Sequence, residues 1–291
     1  LHIALENISR LAIETVEANR LASYTEKSTR YQQWEADAFH LPEEIRDSHF
    51  NHDFKETCQL LFKTYQELMP VIKAWMAEVL TRDKEETERS FQRRVQSEAA
   101  DVCRFLLPAA SLANVGVTIN ARALEYAICK MLSSPLFEVR AIGEQLLKVG
   151  QAEAPTLIKY AACNEYLMGA REKVRQIDCA LPEPSTIEDF KLLDWDKTGQ
   201  EKVLAGILFR FGAADSIQAG LAYLQQLSLG ERERLAAELM LGRSRFDQPL
   251  REFEYAQMSF EVIMDQGAYF EFKRHRMMTQ TVGPLNAELG F

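Results

Sequence analysis

The two ends of this 291-residue sequence carry the same arrangement of predicted elements. Near the N-terminus a strand is followed by a helix at 9–19, with Ser9 as its predicted N-cap, and by a basic motif that opens a second strand at Arg20. Near the C-terminus a strand at 252–264 and a short helix lead to a second basic motif, Arg274-His275-Arg276-Met-Met-Thr279. Aligning Arg20 with Arg276 superimposes the two arrangements. This internal repeat, although short and weak in identity, suggests two copies of one structural unit.

Between the two ends, apolar residues recur mostly at helical spacing. One long amphipathic helix is predicted over 53–80, which Pro70 kinks or splits. The best linker candidate is the Pro-rich stretch 181–185, so we expect one copy at 1–180 and the beginning of a second at 186–291. The predicted fold class is α+β, helix-rich with a small antiparallel sheet. Further elements are a strand at 109–119 and helices at 84–106, 120–132, 136–150, 154–168, 198–211, 215–227 and 230–241.

Composition excludes several classes of function. The net charge of −9 argues against broad nucleic-acid binding through phosphates, although a local group of arginines can still hold a small anion. No apolar run reaches the length of a membrane span. Five widely spaced cysteines without a C-x-x-C pair favour reduced thiols in the cytoplasm. The histidines show no metal-ligand spacing, and the start at Leu1 indicates a fragment of a longer protein.

The hydroxyl and charged residues of the first motif could form a ligand site on the predicted strand. Ser28 and Arg30 project to one face of the predicted strand, and Ser23 projects to the other with Thr25 and Lys27. A hydroxyl and a guanidinium at alternate positions suit an anionic or polar ring ligand. An exposed polar strand without a ligand fits the same pattern, so the residues alone leave both readings open.

Taken together, the two motifs resemble the signature of flavin-dependent thymidylate synthases, Arg-His-Arg-x-x-Ser-x-Asn-Glu-x-Ser-x-Arg-Tyr. The stretch 18–31 keeps the back half of this signature, and 274–279 keeps the front half. Three further blocks follow the family in order: Val102-Cys-Arg104-Phe-Leu-Leu-Pro108, Thr118-Ile-Asn120-Ala-Arg122-Ala-Leu124 and Leu136-Phe-Glu138-Val-Arg140. The resemblance covers about 1–170 well and 198–291 more loosely.

The resemblance implies reductive methylation of dUMP to dTMP, with FAD as cofactor, methylenetetrahydrofolate as carbon donor and NADPH as hydride source. It implies no catalytic nucleophile and no metal, and it implies active sites that form between subunits of a homo-oligomer. The residues that it assigns to dUMP are Ser23, Glu26, Ser28, Arg30, Arg104 and Lys130, with Met131 as the alternative to Lys130. Those that it assigns to FAD are Arg20, Asn120, Arg274, His275 and Arg276.

Departures from the family pattern support other readings. Ala18 and Asn19 stand where the family has Arg-His, and Glu271 stands where it has a nucleotide-binding glutamine. One hypothesis is that the two incomplete copies complement each other, within or between chains. The main alternative is a non-catalytic nucleotide- or flavin-binding homologue that acts as a scaffold or regulatory subunit. A helical interaction module without a ligand is a third, and a purely structural His275 also fits the sequence.

Overall fold

The computed structural model describes residues 1–28, 34–177, 189–283 and 285, and it divides the chain into two compact units. The first unit is Leu1–Leu181 together with the segment that starts at Asp265, and the second is Pro182–Met264. The predicted linker at 181–185 lies outside the described residues. The fold class is confirmed as helix-rich α+β with small antiparallel sheets.

The first unit is built on a three-stranded antiparallel sheet. Its strands are β1 (His2–Ser9), β2 (Ala22–Glu26) and β3 (Leu112–Ile119), in the order β1-β3-β2. Alternate residues of β3, such as Val115 and Val117, are buried, whereas Gly116 and Thr118 between them are exposed. This period of two gives the sheet one core face and one solvent face.

Three helices cover the core face of the sheet: α1 (Arg10–Glu17), α5 (Ala121–Leu132) and α6 (Phe137–Glu153). Ile13 of α1 and Ile128 of α5 are almost fully buried there, which contributes about 1.5–3 kcal/mol for each side chain. Ser9 caps α1 as predicted, because its Oγ accepts a hydrogen bond from the amide of Ala12.

A second core lies beside α3 (Asn51–Val79) and α4 (Glu88–Cys103), with Phe62, Tyr65 and Cys103 buried in it. The helix α3 is continuous through Pro70, where the sequence predicted a kink or a break. Met69 and Ile72 on either side of Pro70 pack on the same core, so tertiary contacts favour one continuous helix over two, and the predicted kink stays a prediction. The first unit also contains α2 (Glu43–Arg46) and α7 (Glu165–Arg175).

The second unit combines a two-stranded sheet with helices. The strands β4 (Phe190–Trp195) and β5 (Met258–Val262) are antiparallel. The helices are α8 (Gly199–Arg210), α9 (Ile217–Gln226) and α10 (Leu229–Leu239). Leu204 and Leu224 form the small core between α8 and α9. The last helix of the chain, α11 (Gln266–Phe272), belongs to the first unit.

Several predicted boundaries were wrong. The helix predicted over 154–168 is absent, and α7 begins instead at Glu165, after Asn164 caps it. Ile158 is fully buried in the first core, which holds the chain before α7 in a non-helical path. The predicted strand at 252–264 is a short 3-10 helix at Arg251–Tyr255 followed by β5. The predicted helix at 84–106 begins only at Glu88, because Thr87 caps it, and ends in a 3-10 turn at Arg104–Leu106.

The predicted second copy at 186–291 is a statement about sequence repetition, and it stays a prediction. The compact units do not follow its boundaries, because the second unit ends at Met264. Residues 265–283 pack with the first unit because α11 buries Phe270 there. The guanidinium of Arg10 in α1 lies 3.9 Å from the centre of the Phe270 ring. The two basic motifs therefore belong to one compact unit.

Candidate functional site

Three arginines from distant parts of the chain converge on two glutamates in the first unit. Arg10 begins α1, Arg104 follows α4 and Arg274 follows α11. The carboxylate of Glu26 lies 3.8 Å from Arg10 and 3.6 Å from Arg274, and the carboxylate of Glu271 lies 3.0 Å from both Arg104 and Arg274. These five residues are called the arginine cluster. It joins the first motif, through Glu26, to the second motif, through Arg274.

A glycine brings the two parts of the arginine cluster together. Gly267 lies in the first turn of α11, and a Cβ atom there would collide with the ring of Phe105. Phe105 directly follows Arg104 in the 3-10 turn. The absence of a side chain at Gly267 thus lets α11 approach this turn closely enough for Glu271 to reach Arg104.

The arginine cluster contains guanidinium donors that suit an anionic ligand. The Arg10 side chain is only 7% exposed, and burial lowers its pKa, an effect that the positive charges of Arg104 and Arg274 reinforce while Glu26 opposes it. The Nε atoms of Arg10 and Arg104 are buried and have no hydrogen-bond partner within the described part of the chain. The Arg274 side chain is 54% exposed, so one side of the cluster is open to solvent. Charged, incompletely satisfied donors of this kind favour an anionic ligand.

The remaining contacts between the two motifs are mostly hydrogen bonds to the backbone, and Arg20 Nη2 also donates to Thr279 Oγ1 at 3.0 Å. Arg276 Nη1 donates to the carbonyl oxygens of Asn19 and Ala22 at 2.9 and 2.8 Å, and its guanidinium lies over the ring of Tyr24. Arg20 Nη2 donates to the carbonyl oxygen of Met278 at 3.1 Å. The structure thus gives Arg20 and Arg276 partners that hold the two segments together, and their role in FAD binding stays a prediction.

The residues of the first motif lie on both faces of β2. Glu26 points toward the arginine cluster, and its side chain is 8% exposed. Ser23 lies on the solvent face of the sheet, and Ser28 is exposed just beyond the strand. Arg30 lies outside the described residues. The structure therefore places Glu26, but not Ser23, beside the second motif, because successive side chains of a strand point to opposite faces.

The other predicted site residues have local structural partners. Asn120 caps α5, since its Oδ1 accepts from the amide of Ala123 at 2.9 Å. The ammonium of Lys130 lies 5.0 Å from the centre of the Tyr126 ring, and burial lowers the pKa of Lys130. Its alternative, Met131, is a core residue with 2% exposure. The ring of His275 is exposed, and His275 directly follows Arg274 in the sequence. Ligand roles for Asn120, Lys130 and His275 stay predictions.

The sequence analysis missed Arg10 as a site residue. Arg10, Ile13 and Glu17 follow one another at helical spacing on the buried face of α1. A charged residue at such a position needs a partner inside the protein, so the pattern contained a usable signal. The sequence analysis treated Glu271 only as a departure from the family pattern, whereas the structure shows that its carboxylate connects Arg104 to Arg274.

A cavity of about 190 Å³ lies between α1, α11 and the segment that follows α11. Its lining includes Glu14, Ala18, Tyr269 and Val282. The carboxylate of Glu14 accepts a hydrogen bond from the side chain of Gln266. Burial raises the pKa of Glu14, while the positive charge of Lys273 and this hydrogen bond act in the opposite direction.

The Glu14→Gln substitution is expected to stabilise the protein at pH 7. A carboxyl group whose pKa is raised by folding contributes stability below its ordinary pKa of 4.5, and this contribution is lost as the pH rises through the folded-state pKa. Glutamine stays neutral and keeps the acceptor for Gln266. Denaturant unfolding at pH 4 and pH 7 measures the effect: the variant should exceed the wild type in stability at pH 7 and match it at pH 4. A pH-independent difference would contradict this assignment.

Within residues 1–28, 34–177, 189–283 and 285, no group of three or more His, Cys, Asp or Glu side chains could hold a metal ion. The same residues contain no helix that is both long and apolar enough to cross a membrane.

Several known proteins are similar to this chain in sequence. The family model described as thymidylate synthase complementing protein (Thy1) matches residues 1–156. A UPF0159 protein of Chlamydia muridarum is 29% identical over 309 residues, which cover all of this chain and 58% of that protein. A flavin-dependent thymidylate synthase of Clostridium tetani is 24% identical over 160 residues, which cover 54% of this chain and 61% of that protein. The chain thus spans less than two thirds of the length of these relatives.

Among solved structures, a flavin-dependent thymidylate synthase of Helicobacter pylori in complex with FAD and dUMP is 15% identical to this chain. The match covers 55% of this chain and 72% of that one, with a TM-score of 0.36.

Proposed function

Because this chain belongs to the family of thymidylate synthase complementing proteins, we propose that it is an FAD-dependent thymidylate synthase that converts dUMP to dTMP. Methylenetetrahydrofolate would supply the carbon and NADPH the hydride. One observation carries the proposal: Glu271 contacts both Arg104, expected to bind the nucleotide phosphate, and Arg274, expected to bind the flavin. The residues expected for the two ligands therefore lie side by side in one unit of one chain.

The arginine cluster fits an anionic nucleotide. A phosphate group offers oxygens that accept charge-assisted hydrogen bonds from guanidinium groups. The unpaired Nε of Arg104 is a donor that such a ligand could use after a small rearrangement of the side chain. The carboxylate of Glu271 now occupies the space between Arg104 and Arg274, where it stands in for an anionic ligand. On this proposal, Glu26 and Ser28 contact the nucleotide from the first motif, with Ser23, Arg30 and Lys130 as further dUMP ligands.

The exposed side of the arginine cluster fits FAD. Arg274 and His275 would hold the cofactor, because both side chains are exposed and Arg274 contacts Glu26. FAD supplies the hydride-transfer chemistry when it is bound, and the protein supplies binding, orientation and positive charge. Asn120, Arg20 and Arg276 are further proposed FAD ligands. A cytoplasmic location is part of the proposal, in keeping with the free thiols of Cys58, Cys103, Cys129 and Cys163.

The wild-type chain tests this proposal directly. FAD binding is measured by absorbance and fluorescence titration, and dUMP binding by calorimetry in the presence of FAD. Turnover is measured as tritium release from [5-³H]dUMP with methylenetetrahydrofolate and NADPH. Binding of both ligands with turnover supports an enzyme, whereas a protein that binds neither ligand is not an FAD-dependent thymidylate synthase.

A non-catalytic homologue that binds nucleotide or flavin is the second candidate. Asn19, which replaces a family histidine, is buried, and its side chain donates to the carbonyl of Val16 at 2.9 Å. Arg20 and Arg276 are likewise engaged with backbone oxygens. These side chains make hydrogen bonds within the protein, as expected for a scaffold or regulatory subunit. Ligand binding without turnover in the assays above would favour this candidate.

We also propose that the chain forms a homo-oligomer through the exposed apolar face of α3. Leu60, Val71, Trp75 and Val79 are each at least half exposed and lie along one side of the helix. Trp75→Glu is expected to shift the molar mass in light scattering toward the monomer, because it places a charge in this face. Gln59→Glu, on a different exposed side of α3, is the matched control. A monomeric wild type, or equal effects of both variants, would contradict an interface here.

A further inference from the structure

The contacts between α1 and α11 are reciprocal. Residue numbers around α11 exceed those of their counterparts around α1 by 256, as for Arg276 and Arg20. Arg20 donates to the carbonyl of Met278 at 3.1 Å, and Arg276 donates to the carbonyl of Ala22 at 2.8 Å. Met278 is the counterpart of Ala22, so the two hydrogen bonds are one contact made twice.

A second pair of contacts has the same relation. Arg10 packs on the ring of Phe270, while Gln266, the counterpart of Arg10, donates to Glu14, the counterpart of Phe270. The helix starts correspond as well. Ser9 Oγ accepts from the amide of Ala12 at 3.0 Å, and Asp265 Oδ1, at the equivalent position, accepts from the equivalent amide at 2.9 Å.

Exchange of partners in this way is the property of a twofold axis, where residue i contacts j and the counterpart of j contacts the counterpart of i. A residue on the axis meets its own counterpart. Glu17 and Lys273 are counterparts, and Glu17 Oε2 lies 3.1 Å from Lys273 Nζ. The segments 9–22 and 265–278 are therefore related by an internal pseudo-twofold axis that passes near this ion pair.

The Glu17–Lys273 pair on the axis favours contact between the two segments of one chain over contact between two identical segments. Both side chains are buried, with 9% of Glu17 and 6% of Lys273 exposed. Two identical copies would bring like charges together on a true twofold axis, which is costly in a buried position. Opposite charges favour pairing of the first segment with the second and disfavour pairing of either segment with itself.

The same axis relates the arginine cluster to the cavity. The counterparts of Arg274 and Glu26 are Ala18 and Val282, and both line the cavity of about 190 Å³. At one position Arg274 is paired with Glu26 at 3.6 Å. At the equivalent position Ala18 and Val282 have small apolar side chains that line the cavity.

We propose that α1 and α11, with the residues that follow each, form an intramolecular counterpart of a symmetric subunit interface, and that only one of its two equivalent ligand positions is retained. The retained position is at Arg274 and Glu26, and the position at Ala18 and Val282 is degenerate. The chain therefore binds one flavin, where a symmetric pair of copies would bind two. The identity of the ligand rests on the proposed function, whereas the interface rests on the contacts alone.

Exchange of charges tests the interface. Glu17→Lys and Lys273→Glu each bring like charges together at the axis and are expected to lower the thermal midpoint by roughly 10 °C. The double variant with both changes should recover most of that loss. If either single variant does not fold, Glu17→Gln and Lys273→Met replace them in the same cycle. If the thermal midpoint of the double variant does not exceed that of the less stable single variant, the proposed interface is wrong.

Counting of bound FAD tests the single retained position. We expect one FAD per chain in the wild type. Two FAD per chain would overturn the assignment. If the wild type binds no FAD, the single-site part is refuted together with the proposed function, and the charge exchange still decides the interface.

Discussion

Replacement of Arg274 by alanine is expected to weaken FAD binding by about 30-fold or more while the protein stays folded. The loss of a charge-assisted contact in a partly desolvated site typically costs about 2 kcal/mol or more. The Arg274 side chain is 54% exposed, so little core packing is lost. FAD and dUMP titrations of the variant, with circular dichroism as the check on folding, measure the effect.

Two controls sharpen this prediction. Arg82→Ala removes an arginine of similar exposure that pairs with Glu88 at 2.8 Å in another part of the first unit, and it should leave both affinities unchanged. Arg104→Ala should weaken dUMP binding and spare FAD, since Arg104 is the proposed phosphate ligand. If Arg274→Ala and Arg104→Ala lose the same ligand, the proposed division between a flavin side and a nucleotide side is wrong.

Replacement of Glu26 by glutamine is expected to lower the free energy of unfolding by about 3 kcal/mol, as for removal of one partner from a buried ion pair. The Glu26 and Arg10 side chains are 8% and 7% exposed, so the substitution leaves the Arg10 charge buried with less compensation. Denaturant unfolding at pH 7 measures the loss. Glu26 is also a proposed dUMP ligand, so the variant should bind dUMP more weakly than the wild type.

A double variant separates the charge effect from packing. Arg10→Met removes the buried guanidinium and keeps most of its apolar length, so Arg10→Met/Glu26→Gln should be more stable than Glu26→Gln alone. Thr25→Val, on the solvent face of the same strand, is the control and should change stability by less than about 0.5 kcal/mol. If Glu26→Gln costs no more than this control, Glu26 is not the counterion of Arg10.

The position of Glu271 explains one departure from the family pattern. Its carboxylate binds Arg104 and Arg274 at 3.0 Å each, and an incoming phosphate would have to compete with it. The glutamine found in the family at this position carries no charge. On the proposed function, a glutamate here lowers the net positive charge of the arginine cluster and is expected to weaken nucleotide binding.

Local patterns in the sequence were sufficient for much of the fold. Ser9 was identified as a cap because a hydroxyl preceded an apolar helical repeat, and the structure confirms it. A strand was predicted over 109–119, and β3 confirms it. The helix at 154–168 failed because burial of Ile158 outweighs local helix propensity, and the sequence near Pro155 carries no sign of that burial.

Sequence by itself determined the family and the α+β class, and it predicted that one signature is split between the two ends of the chain. Only the tertiary structure decided that the two basic motifs meet in one unit of one chain. Arg274 and Glu26 are separated by nearly the whole chain, and their contact depends on α11 docking beside α1. That docking is determined by the Glu17–Lys273 pair, the Phe270 contact and the space at Gly267. Each is a pairing between residues whose partners no local pattern can identify.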